Sequence, residues 1–510
     1  MTRLSTRSGA PSARAFWLAF LAALGAMLIA PALNGSPFLF VDTVGYFRYA
    51  EKLVTMMLGV SPVFIWGDEA AALAAAASDG GAASSAVASA APRPIMSGRS
   101  IYYGVSAYLP TRLIGLWGAI GVQTAALALA ITLTLYNFLG SRLPMLAFIA
   151  IVAALAALTP VSIFAGYLMP DIYTGVLILT VANIAAFWPS MSLAQRLFWA
   201  AIGALAVLSH HSHILIAGVG FLALIGVAAL LKSRARAASA VIVGAMAVIG
   251  AAGEIAFATM TERMLERPVI RMPALMARSI ADGPGYDLLK DKCPKDDYVI
   301  CDRLAQLPVH VDHFIWSKEP GLGVYQFLSD EDKVRIAQNQ FSFFLEATLR
   351  QPATQIGASL GNATEQLFTV GVKEQATPER FKTVYDGFFQ DGDLAMVQGS
   401  RSYQNQAPVE TLSALYLFVY LAALGLALIA LIAPQIRTRL SPAQWLFVLV
   451  LLGGVALNAG VTGAMSTPHD RYQARIAWLP PLAVMLIGAA ALSRREDQDE
   501  TRYAQPSAVA

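Results

Sequence analysis

Apolar stretches of about twenty residues recur along this chain, roughly ten of them. A stretch of that length matches the hydrocarbon core of a bilayer, where the backbone must satisfy its own hydrogen bonds. Helices are therefore dictated wherever the stretches cross. They run near residues 15–33, 114–137, 145–165, 172–189, 197–209, 214–231, 239–260, 411–433, 445–464 and 475–493. Only 14% of the 510 residues are charged, against about 25% in a soluble domain. The expected fold is an all-α polytopic membrane protein with about ten transmembrane helices.

The stretch over 197–231 is too long for one comfortable span and short for two. His210-His211-Ser212-His213 interrupts it, and two short helices meeting at the histidines are expected, with one tilted helix as the alternative. Basic residues decide between them, because Lys and Arg gather on the cytoplasmic side. Arg3, Arg7, Arg14, Arg142, Arg196, Lys232, Arg234, Arg236, Arg437, Arg439, Arg494 and Arg495 all fall on one side if ten helices cross. A count of nine would put Lys232 to Arg236 outside. Both termini are then cytoplasmic. The first apolar run is longer than the core of a signal peptide and reads as an uncleaved helix.

This topology divides the chain into an N-terminal membrane module (1–260), an extracytoplasmic segment (261–410), three C-terminal helices (411–493) and a disordered cytoplasmic tail (494–510). The first outer loop, 34–113, holds an amphipathic stretch from Thr43 to Leu58 and a low-complexity linker from Ala70 to Ala91. Tyr102, Tyr103 and Tyr108 follow, residues that suit a membrane interface. The 261–410 segment is large enough for a small α-rich domain, with a helix expected over Glu331 to Leu349. It carries both cysteines, Cys293 and Cys301. Outside the cytoplasm they are expected to form a local disulfide; otherwise they are two thiols. The net charge is +3, and no basic stripe interleaved with aromatics points to nucleic acid.

Few polar residues remain near the membrane, and they fall on the outer side. Ionisable groups at such depth are costly and mark functional sites by default. Asp42 follows the first helix, and Asp171 sits in a very short outer loop after Pro170. Each is read either as a helix cap or as a working carboxylate. His210, His211 and His213 are structural groups, proton carriers, metal ligands or phosphate contacts, though their spacing is not a zinc motif. Glu254, inside the seventh helix, is a functional acid or a neutral helix contact. His469, Asp470, Arg471, Tyr472 and Arg475 open the last helix. Arg471 and Arg475 lie one turn apart on one face. An outer-side Arg resists the positive-inside pattern, and its planar fork favours phosphate; an ion pair with Asp470 is the alternative.

Asp42 with Tyr46 and the amphipathic stretch, Asp171 in the next outer loop, the polar break at the histidines and Arg471-Tyr472 together resemble the GT-C superfamily of membrane glycosyltransferases. The likeness covers mainly residues 15–260 and 445–490. In that family a second acid often follows the first; here Thr43 follows Asp42. The resemblance implies a polyprenyl-phosphate-linked sugar donor, a lipid, glycan or protein acceptor, and a site on the periplasmic face of a bacterial inner membrane. It casts Asp42 as general base and Asp171 as the group that orients the acceptor or, with Asp42, holds a divalent metal cation. Arg471, Tyr472, Arg475 and the histidines would hold the donor phosphate. Two other readings stand beside it. A transporter or flippase of lipid-linked glycans would use a central two-sided path. A polysaccharide polymerase or ligase would build its site from the 261–410 segment and its arginines.

Overall fold

The structure is a computed structural model that describes residues 11–64, 95–96, 98–141, 143–293, 295 and 298–503. Residues 1–10 with Arg3 and Arg7, the Ala70 to Ala91 linker, and Arg142 lie outside them, as do the side chains of Arg494 and Arg495.

The chain is 77% helical. Among the described residues one sheet occurs, two residues of β1 (Ile95–Met96) paired in parallel with β2 (Val269–Ile270). Among the described residues eight helices are long and apolar enough to cross a membrane: Ala13–Asn34, Leu116–Leu139, Ile172–Ser190, His211–Leu230, Arg234–Arg263, Val409–Ile432, Pro442–Met465 and Asp470–Leu492. Two shorter apolar helices, Met145–Leu158 and Leu193–Ser209, occupy the positions of the third and fifth expected spans.

The helices used below are α1 (Ala13–Asn34), α2 (Val41–Leu58), α3 (Ile101–Ile114), α4 (Leu116–Leu139), α5 (Met145–Leu158) and α6 (Ile172–Phe187). After them come α7 (Leu193–Ser209), α8 (His211–Leu230) and α9 (Arg234–Leu265). The break expected at the histidines is real: α7 ends at Ser209, and His210 is extended backbone between the two helices. The third expected span also breaks. Thr159 is extended before Pro160, whose ring cannot continue a helix, and a single turn, Val161–Ala165, follows.

α6 is the central helix, buried along its whole length. Polar contacts at one end of the bundle gather basic residues. Arg236 donates to Ala185 O, Arg196 Nε to Trp188 O at 3.2 Å and Arg439 Nη1 to Ala491 O at 2.9 Å. The acidic and histidine residues singled out above lie at the other end.

The 261–410 segment is not one domain. A separate apolar core joins Met276, Ile280, Leu288, Phe314, Ile336 and Phe343. It is built on α10 (Ala274–Ala281), α11 (Val311–Trp316) and α12 (Asp330–Arg350) and carries the Cys293–Cys301 disulfide, S–S 2.02 Å. Beyond Pro352 the chain returns to the membrane part. α13 (Pro352–Phe368) packs along α15 (Pro442–Met465). Phe388 stacks on Phe64 of the first outer loop at 4.5 Å, and Phe381 meets Phe40 at 6.0 Å. Burying these rings against the first loop places residues 370–397 in the main core. The bundle closes with α14 (Val409–Ile432), α16 (Asp470–Ala474) and α17 (Leu479–Tyr503).

Two further expectations are corrected. Tyr103 and Tyr108 face inward, against Tyr46 and Glu51, not toward a membrane interface. Residues 494–503 continue α17 as helix instead of forming a disordered tail.

Candidate functional site

The loops that follow α1 and precede α6 are stitched together before any charge is placed. Phe38 N donates to Gly166 O at 2.8 Å and Leu168 N donates to Phe38 O at 2.9 Å, an isolated parallel bridge. Thr43 Oγ1 accepts from Phe40 N and donates to Leu168 O, both at 3.0 Å. Thr43, standing where the resembling family often has a second acid, is thus a buried strut between the loops. The stitching sets Asp42 four residues after one end of the bridge and Asp171 four residues after the other.

Neither aspartate is a helix cap. Asp42 falls in the first turn of α2, and Arg99 Nη2 donates to its Oδ1. Asp171 stands at the cap position of α6 but accepts no capping bond from the backbone. Its carboxylate instead faces Arg471 Nε at 3.6 Å and Arg475 Nη1 at 3.7 Å. The expectation that the two arginines share a face holds. Arg471 also meets Glu374 at 3.3 Å rather than pairing with its neighbour Asp470. Asp470 opens α16 and lies against Gly371, where a Cβ would come within 2.6 Å of its Oδ2.

Tyr46 connects the halves. Burial first, and then the carboxylates of Asp42 and Asp171, push its phenol far above the ordinary value. Tyr385 is raised by burial and by Asp42. Burial works against the charge of Arg99, yet Asp42 more than restores it and holds the guanidinium above its usual pKa. Asp42 and Asp171 therefore both act on the Tyr46 phenol, from two loops that the Phe38–Tyr167 bridge holds together.

The arginines are packed as well as paired. The Arg471 guanidinium lies 4.3 Å over the Phe40 ring, and both arginines lie over Tyr472, at 5.5 and 5.3 Å. Arg475 is 1% exposed and donates to Asn458 at 3.0 Å. Arg471 Nη1 is buried with no hydrogen-bond partner among the described residues. Leaving such a donor unpaired costs about 1–3 kcal/mol. An anion at that nitrogen would recover the cost.

The histidines divide. His213 is fully buried, its Nδ1 2.6 Å from Ala206 O and its Nε2 2.7 Å from the Thr174 hydroxyl. With both nitrogens engaged it pins α8 to α7 and α6, and the phosphate-binding role expected for it fails. His211 Nδ1 lies 3.0 Å from Glu254, which also meets Arg271 at 3.6 Å. Glu254 and His211 thus pair across α8 and α9. His210 Nδ1 is 2.8 Å from the Ser212 hydroxyl, its ring 5.4 Å from that of His213. His469 bridges outward, Nε2 to Asp312 at 3.2 Å and Nδ1 to Glu374 at 3.7 Å.

A divalent cation does not fit the two aspartates. Each already faces guanidinium, and a double charge would have to enter beside Arg99, Arg471 and Arg475. No group of three or more metal-ligating side chains occurs among the described residues.

Sequence reasoning missed Arg99 and Glu374. Arg99 falls in the loop expected on the outer side, and the argument that flagged Arg471 applies to it equally. Glu374 gives no local signal, because it reaches Arg471 from a segment that reads as an independent domain.

No family model, curated protein or solved structure matches this chain.

Proposed function

We propose that this chain is a membrane glycosyltransferase of the GT-C kind. It moves a sugar from a polyprenyl-phosphate-linked donor to a lipid, glycan or protein acceptor, on the periplasmic face of a bacterial inner membrane. The observation that carries the reading is the buried, hydrogen-bond-free Nη1 of Arg471, whose Nε faces Asp171, with Asp42 on the loop stitched to that aspartate's own. Donors fixed where negative charge develops stabilise it without reorganisation.

Asp42 is the base. Arg99 engages Oδ1, and Oδ2 takes the proton of the acceptor O–H. The acceptor oxygen bonds to the anomeric carbon as the bond from that carbon to the phosphate oxygen breaks. The electron pair leaves on the phosphate, and Arg471 neutralises it. Asp171 holds Arg471 and Arg475 in place and is a positioning residue. No metal enters the scheme. The cations of the site come from the first outer loop and the start of the last span, not from arginines of the 261–410 segment, which favours a transferase over a polymerase.

The test is lipid-linked sugar transfer by purified protein in vesicles. Asp42→Asn is expected to abolish transfer while the protein inserts and melts near wild type. Wild-type turnover by that variant refutes the base assignment. Mass spectrometry of the lipid that accumulates in cells lacking the chain identifies the donor.

A further inference from the structure

Beyond the site, the outer segment exposes apolar surface in a pattern that has a direction. On α12, Phe341, Leu345 and Leu349 are spaced four apart, on one helix face. On α13, Ile356 and Leu360 continue the spacing, and Phe368 closes it. All six are 45–71% exposed. Together they amount to on the order of 600 Å2, the top of the range for the largest apolar patch on a soluble monomer. Other residues of the same two helices turn inward and have partners: Ile336, Phe343 and Ala347 join the domain core, and Gln355 and Gln366 hold Asp282 and His469.

What surrounds this patch says what covers it. α13 lies along α15, an apolar helix long enough to span. The contact is close: a Cβ on Gly463 would come within 2.5 Å of Asn362 O. A helix packed lengthwise on a span occupies the place of lipid and presents its own far side to lipid. At the other end α12 contacts β2, four residues past the end of α9. Met260 on α9 and Met465 on α15 are exposed. From Pro352 to Phe368 the chain carries one charge, Glu365. The patch thus lies on one helix packed along a span and on another that contacts the strand following a second span.

We propose that α12 and α13 form a hairpin seated in the outer leaflet, with Phe341, Leu345, Leu349, Ile356, Leu360 and Phe368 against lipid acyl chains. The hairpin anchors the disulfide-bearing domain to the membrane, and α13 ends at Gln366 and His469, which ties the anchor to the mouth of the site. The inference holds whatever reaction the site performs.

Single cysteines report it, because both native cysteines are in the disulfide. Leu345→Cys, Leu360→Cys and, as control, the exposed Glu319→Cys are spin-labelled in the full-length protein. The protein is then placed in vesicles of phosphatidylethanolamine and phosphatidylglycerol. Collision with oxygen, which concentrates in acyl chains, is compared with collision with a water-soluble nickel chelate. Labels at 345 and 360 are expected to favour oxygen, and the label at 319 to favour nickel. Nickel accessibility at 345 and 360 equal to that at 319 overturns the proposal in favour of solvent. Protection from both reagents overturns it in favour of a protein partner or a second copy.

Discussion

Removing one carboxylate oxygen from Asp171 should cost far more stability than removing one from Asp42. The Asp171 side chain is 5% exposed and is the counter-charge of Arg471 and Arg475, whose side chains are 11% and 2% exposed. Asp171→Asn leaves two guanidiniums buried with Glu374 as the nearest remaining acid. Breaking a buried pair from one side costs about 3–5 kcal/mol. The Asp42–Arg99 pair is about a quarter exposed on each side. Such a pair contributes about 0–1 kcal/mol, and the charge in the first turn of α2 adds about 0.3–1 kcal/mol through the helix dipole. The assay is thermal unfolding in detergent at one fixed scan rate, since unfolding of a protein like this is irreversible. Asp171→Asn is expected to lower the midpoint by on the order of 3–5 °C, and Asp42→Asn by about 1 °C. Adding Arg475→Gln to Asp171→Asn should recover part of the loss, because the two sites are in contact and couple. An Asp171→Asn protein that melts within a degree of wild type refutes the buried-pair reasoning. A large loss from Asp42→Asn would mean that Asp42 is structural, and its inactivity would then say nothing about a base.

Gly463→Ala should separate α13 from α15. The added carbon meets backbone, not a flexible side chain, and overpacking of that kind costs about 1–3 kcal/mol; faster hydrogen exchange confined to 352–368 checks it. The His469–Asp312 contact should give stability a defined pH window. The hydrogen bond to Asp312, working against burial, raises His469 above its ordinary 6.5; burial opposes but His469 overcomes it to lower Asp312 below 3.8. The histidine contribution is complete below 6.5 and lost as pH rises through the raised value. The aspartate contribution is present above 3.8 and lost as pH falls through the lowered value. His310, His313, Glu374 and Arg471 are other ionisable groups at this contact. His469→Gln should therefore differ most from wild type near pH 5–6 and converge with it in alkali, read from melting midpoints across pH. Replacing Cys293 and Cys301 with Ser opens a loop eight residues apart in sequence. A loss of about 2.5 kcal/mol is expected, seen as faster exchange in 274–316 with the membrane helices unaffected.

The membrane helices were legible because hydropathy over twenty residues is a strong and local signal. The break at the three histidines was legible for the same reason, but the one at Thr159-Pro160 was not, because the apolar run over 145–165 continues through it. The mouth of the site was legible in part. Asp42, Asp171, Arg471 and Arg475 stand out as charges that apolar neighbours do not excuse. The role of each was less so, since a cap and a working carboxylate look alike until the backbone bonds are known. His213 shows the limit clearly. Its sequence context matches that of His210, and only the packing of Ala206 and Thr174 against its two nitrogens makes it a structural pin.

The extent of the outer segment was misjudged for a physical reason that bears on function. Polarity and length mark 261–410 as a domain, but a domain boundary is set by which rings bury against which. Phe381 and Phe388 bury against Phe40 and Phe64, so the chain from Pro352 onward belongs to the roof of the membrane part. That roof carries Glu374 into contact with Arg471. Arg471 is consequently held by a carboxylate from below, Asp171, and by one from the roof. Displacing the roof would strip one of its two counter-charges and leave Arg471 more strongly cationic toward any anion in the site. Glu374→Gln isolates this effect without moving the backbone. Under the proposed reaction it should tighten binding of a polyprenyl phosphate measured in vesicles, whereas Arg471→Lys should weaken it through loss of the planar fork. Equal affinity in wild type and Glu374→Gln would show that the roof and the phosphate site are not electrostatically linked.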